Sequence, residues 1–226
     1  MGVEVRVKSD WLVFHGPMLF QIALNAVELS KVDDRNALVS IVFAAASLEA
    51  FANELPTFTE SALRTGQAKR DDKLQTFSEL MNELEKSRAQ PKAKLALAKW
   101  ILSGVPFDKG SAIYQDFSAL VDLRNALIHV KSSVEVGIGD DRPVFGRPKV
   151  LETLQQKKLL AAFPADSEDM TGASWMEAVS TPACARWACN SAAETAKAIL
   201  SELPSNEPAW ETIRAVYEDA FKLRNR

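Results

Sequence analysis

Between Asp122 and Val130 the chain reads DLRNALIHV, and three of its side chains have complementary chemistry. Arg124 carries a planar guanidinium fork suited to phosphate oxygens. His129, five residues on, has the ring whose ordinary pKa suits proton transfer near neutrality. Asn125 precedes His129 by four residues, so on a helix the two share a face. A phosphate binder, a polar orienter and a base thus fall within two helical turns. The plainer alternative for His129 is a favourable partner of the helix dipole near a C-terminus. The chain holds only two histidines, His15 and His129. The same tetrapeptide, RNAL, occurs at 35–38 without a histidine, beside Asp33 and Asp34, where it reads as a solvated helix start.

At about 100° per residue, Phe117, Leu120, Val121, Leu123, Leu127 and Ile128 form a broad apolar arc with Arg124 inside it. The most apolar side of the helix from Asp33 to Leu55 holds Leu38, Ile41, Val42, Ala45, Leu48 and Ala52. Glu49 interrupts it, and Asn53 lies one turn further on. A charge buried alone costs several kcal/mol, so each must be paired or must face a cleft or another subunit. Their opposite signs predict that Arg124 and Glu49 adjoin. Two readings follow: an ion pair that fixes helix register, or an Arg124 that lines a phosphate pocket.

The elements that must position these groups are mainly helical. VEVRV at 3–7 alternates as a half-buried strand, with VEVGIG (134–139) or PVFG (143–146) as its expected partner. Core helices occupy about 17–131 and 180–203, a strand or loop insertion about 132–150, and a C-terminal helix outside the bundle about 207–223. Asp33 or Asp34 is expected to cap the central helix, and Pro56 to lie just past its end. Thr181 and Pro182 mark the start of a long helix whose Cys184, Ala188, Ser191, Thr195 and Ala198 give one side of small residues. The fold class is therefore mainly α, an up-and-down helical bundle with a small β-hairpin or strand-pair appendage, in one domain spanning 1–226.

At 226 residues, with 47% hydrophobic and 25% charged residues, the chain can bury a core without staples. A net charge of −3 means that any nucleic-acid site must be a local basic patch or a groove shared between subunits. Cys184 and Cys189 lie about 140° apart on a helix and cannot bond to each other there. No disulfide framework or zinc site is expected, which fits a reducing cytoplasm. The N-terminus has no apolar signal core. The run from Ala37 to Ala52, broken by Ser40, Ser47 and Glu49, is shorter than the roughly 20 apolar residues of a span, so no membrane association is expected.

LRNALIH resembles the Arg-x4-6-His signature of HEPN domains. VSIVFAAASLEAFANEL is similar to their alanine-rich second helix with its acidic residue, and TPACARWACNSAAETAKAIL to their last bundle helix. These pieces cover about a fifth of the chain. The resemblance implies a helical bundle, usually dimeric, with Arg and His of both subunits facing one cleft. For active members it implies metal-independent endoribonuclease activity without a cofactor, often in toxin–antitoxin or anti-phage systems, where a cognate antitoxin would be a protein partner. Arg124, Asn125 and His129 would be the motif residues, and Glu49 the acidic residue of the second helix. Because one subunit offers a single motif histidine, the motif helix is expected at or beside a twofold axis. The alternative is a non-catalytic dimeric module that binds a nucleotide or a protein. The chain departs from the pattern in its acidic charge, its strand pair and its terminal helix.

Overall fold

The computed structural model describes residues 3–7, 10–69, 71–129, 148–161, 175–205 and 207–222. The described chain begins with two strands, β1 (Val3–Val7) and β2 (Asp10–Phe14). Nine described helices follow: α1 (Gly16–Leu29), α2 (Asn36–Arg64), α3 (Asp72–Lys86), α4 (Pro91–Ser103), α5 (Ala112–Ile128), α6 (Val150–Gln156), α7 (Trp175–Val179), α8 (Pro182–Leu200) and α9 (Pro208–Ala220). The expectation of a mainly helical bundle is met.

The partner of β1 is β2, antiparallel, with Val3 opposite Phe14 and Val7 opposite Asp10. The expected partner, 134–146, lies outside the described residues. Closing a tight hairpin costs less chain entropy than pairing across more than a hundred residues. The hairpin's last residue, Phe14, is 2% exposed and packs on Phe58 and Tyr217, each with ring centroids 5.9 Å away.

The central element is α2, which packs on α1, α8, α3 and α5. It does not stop before Pro56 but continues for eight further residues. Proline removes one helical hydrogen bond and crowds the preceding turn, at a cost of about 3 kcal/mol. Leu55, Phe58, Thr59 and Ala62 around it are all buried, and that burial holds the helix together. By length and composition α2 could cross a membrane, contrary to the sequence expectation, but half of its most apolar window is buried within the bundle. Neither Asp33 nor Asp34 caps it. The Asp33 carboxylate instead binds the backbone N–H and guanidinium of Arg35 in an exposed turn.

Other boundaries follow local chemistry. The Ser111 and Thr181 hydroxyls accept from the backbone N–H groups of Tyr114 and Cys184, capping α5 and α8. The Asp71 carboxylate accepts from Lys73 N–H at the start of α3. α4 ends at Gly104, whose φ of 78° is left-handed and favours glycine. In α8, Cys184, Ala188, Ser191 and Thr195 are buried, and this small-residue side lets α2 and α8 approach closely. Both cysteines are buried and unpaired by disulfide.

The terminal helix belongs to the bundle rather than lying outside it. Trp210, Ile213 and Tyr217 of α9 are fully buried, and Phe221 stacks on Phe20 of α1 at 4.1 Å. Arg214 donates to the carbonyls of Leu200, Leu203 and Pro204, satisfying acceptors that the end of α8 leaves open.

Candidate functional site

α5 is amphipathic, and its buried side (Phe117, Leu120, Val121, Leu123) fixes its rotation in the bundle. That rotation sends Arg124 toward α2, where its Nη2 lies 3.4 Å from Glu49 Oε2. The side chains are 27% and 33% exposed, so the pair sits at the edge of the core. The Arg124 Nη1 donates to Asn125 Oδ1 at 3.0 Å. Its Nε is buried and, among the described residues, has no acceptor. The guanidinium is therefore held in place but incompletely satisfied: one good bond to a neutral amide, one long ionic contact and one orphan donor. The enclosed Nε is out of an anion's reach, but the long contact at Nη2, on a side chain 27% exposed, leaves that edge of the fork able to exchange Glu49 for another anion.

His129 terminates α5. Its backbone N–H donates to the Asn125 carbonyl at 2.9 Å, and the residue is exposed. The Asn125 amide oxygen accepts from the Arg124 guanidinium, so these two motif residues form one polar group beside Glu49.

Asn53 was expected beside Glu49 as support for the same pair. It lies on α2 one turn further along, but its Oδ1 accepts from Lys94 Nζ at 2.9 Å. Lys94, on α4, has a side chain only 4% exposed, and its ammonium also meets the Glu85 carboxylate, which is 54% exposed. Two similar sets thus stand side by side on one flank of α2. Each contains a cation, an amide oxygen that receives one of its protons, and a more exposed carboxylate: Arg124, Asn125 and Glu49; Lys94, Asn53 and Glu85.

Lys94 escaped the reading of the sequence, although its signal was the one that exposed Arg124. Its i+4 and i+8 neighbours Ala98 and Leu102 are buried, so the lysine interrupts an apolar stripe. The second missed cluster surrounds Glu54. Its carboxylate accepts from the backbone N–H groups of His15 (2.6 Å) and Gly16 (3.2 Å) and from the Tyr217 hydroxyl. It caps α1 from another helix. His15 Nδ1 is 3.6 Å from the same carboxylate, with the ring 61% exposed. Burial, then the negative Glu54 beside it, pushes the Tyr217 hydroxyl well above the usual phenol value. No sequence spacing links residues 15, 54 and 217.

Among the described residues, no three His, Cys, Asp or Glu side chains converge as metal ligands would. No protein-family model matches the chain, and no curated protein or solved structure is significantly similar to it.

Proposed function

We propose that the protein is a HEPN-type endoribonuclease that works as a homodimer on single-stranded or loop RNA, in the toxin–antitoxin or defence setting of that family. One observation carries the reading. Arg124, with an orphan Nε and a long ionic contact, lies on the same terminal turn and a half as the exposed His129.

The chemistry needs no metal, because the nucleophile is the substrate's own 2′-hydroxyl. One His129 takes that proton as the 2′-oxygen attacks phosphorus. The P–O5′ bond breaks, and the partner subunit's His129 protonates the leaving 5′-oxygen. Arg124 stabilises charge growing on the phosphoryl oxygens. The products are a 2′,3′-cyclic phosphate and a 5′-hydroxyl. In support of a second copy, the outer face of α2 carries Val39, 40% exposed, and the half-buried Phe43, Ala46 and Ala50. A helix apolar on every side calls for a cover on every side. The small alanines admit another helix closely, and Glu49 borders this face, so an isologous contact there sets the two Arg124 groups on one cleft.

The experiment is cleavage of labelled single-stranded RNA in EDTA by wild type and His129→Ala. Cyclic-phosphate ends that vanish in the variant support the enzyme. A non-catalytic RNA- or nucleotide-binding module is the second reading, favoured by an Asn125 amide oxygen that is engaged by Arg124. Binding without cleavage would select it.

A further inference from the structure

We infer that Lys94, with Asn53, forms a second phosphate position on the same RNA track, next to that of Arg124, and that Glu85 occupies it in the free protein. The inference rests on the proposed RNA-binding role of Arg124 and adds a strand-positioning residue to it.

The geometry is that of a repeated unit. Glu49 and Asn53 are four residues apart on α2, about 6 Å along its axis. Arg124 reaches the first and Lys94 the second. Both cations therefore approach the same flank of α2, one turn apart, a separation that neighbouring phosphates of an extended strand can bridge. Each cation is aimed by a neutral amide that stays in place whether or not the carboxylate does. The carboxylates are the more exposed members of the two sets.

Burial explains why Lys94 is more than a surface lysine. Its side chain is only 4% exposed and lies on the buried stripe of α4 with Ala98 and Leu102, so the ammonium is held between Asn53 and Glu85. A purely structural lysine would sit with an equally buried acid. Glu85 is instead over half exposed, free to swing into water when a phosphate takes its place. The exchange keeps the ammonium paired throughout, which avoids the penalty of a bare buried charge. Lys94 is a positioning residue: it holds a flanking phosphate and takes no part in bond making.

The test is fluorescence anisotropy of a labelled 12-nucleotide oligodeoxynucleotide, which lacks the attacking hydroxyl, across a salt series. Wild type, Arg124→Gln, Glu85→Gln and Lys94→Met are compared, with circular dichroism and unfolding as fold controls. Glu85→Gln, which removes the competing carboxylate but keeps an amide oxygen for the Lys94 ammonium, is expected to tighten binding several-fold. Lys94→Met is expected to weaken it and to reduce the slope of log K against log salt by about 0.7, the value for one single-strand phosphate contact. If Arg124→Gln weakens binding while Glu85→Gln leaves affinity and slope unchanged, the inference is overturned and the reading of Arg124 stands. If wild type does not bind, or Arg124→Gln binds as wild type does, the reading of Arg124 fails and the shared track fails with it.

Discussion

The Arg124–Glu49 pair can be asked whether it holds the fold together or waits for a ligand, because the two roles differ several-fold in energy. The perturbation is a double-mutant cycle with Arg124→Gln and Glu49→Gln. At 3.4 Å, with about a quarter to a third of each side chain exposed, the pair lies in the regime where coupling amounts to about 0.5–1 kcal/mol. Arg124→Gln also loses the charge-assisted bond to Asn125, about 1.5–3 kcal/mol, and removes the unsatisfied Nε, which returns about 1–3 kcal/mol. The expected cost of Arg124→Gln is therefore about 1 kcal/mol, with a coupling below about 1 kcal/mol. A core ion pair would instead lose about 3–5 kcal/mol when one partner is removed. Urea unfolding of the four proteins at one pH and salt supplies all the terms, provided the slopes agree. A coupling above about 3 kcal/mol would refute the reasoning and make Arg124 a structural residue.

Gly16 lies under the Glu54 cluster, where an added Cβ would stand 3.0 Å from the Tyr217 hydroxyl and 3.2 Å from Glu54 Oε2. Gly16→Ala is expected to destabilise by about 1–2 kcal/mol, since losing a hydrogen bond to a charged group outweighs the helix gain of alanine. A melting temperature at or above wild type would contradict that contact. Burial pushes the Cys184 thiol from 9.0 up to about 12. Between those values the unfolded chain has released the proton and the folded chain has kept it, so stability falls as pH rises, by about 1.4 kcal/mol per unit. Below pH 9 the thiol contributes no pH dependence. Unfolding of wild type and Cys184→Ala at pH 8, 9, 10 and 11 checks this: the variant should lose less stability on the alkaline side, and parallel curves would show that Cys184 is not shielded.

Residue types made Arg124 and Glu49 legible because each charge breaks an otherwise oily arc, and opposite signs on two such arcs imply a contact. Lys94 carried the same signal at lower contrast: its helix is alanine-rich and holds two further lysines, so a long stem reads as a solvated side chain. The Arg124–Asn125 bond was not legible, because helical spacing says which residues share a face and not which neighbours bond along the chain. The Glu54 cap is built from groups 38 and 163 positions away in the chain, and no local pattern encodes such distances. Pro56 was read by its local rule as a stop, whereas packing on both sides of it overrode the rule. The short α6 and α7 contain too few turns to show a period. α9 was visible as an amphipathic helix, but the face it seals, made by Phe14, Phe20, Phe51 and Phe58, exists only once the chain has folded back.

The Tyr217–Glu54 bond also has a meaning in time. A chain made from its N-terminus presents Glu54 and the start of α1 long before Tyr217 exists, with 163 residues of synthesis between them. Through that interval the aromatic pocket for Trp210, Tyr217 and Phe221 is unsealed and wet, the open form in which growing chains are prone to stick to one another. Sealing that pocket requires the return of a late segment to an early one, a contact whose loop-closure cost spans most of the chain.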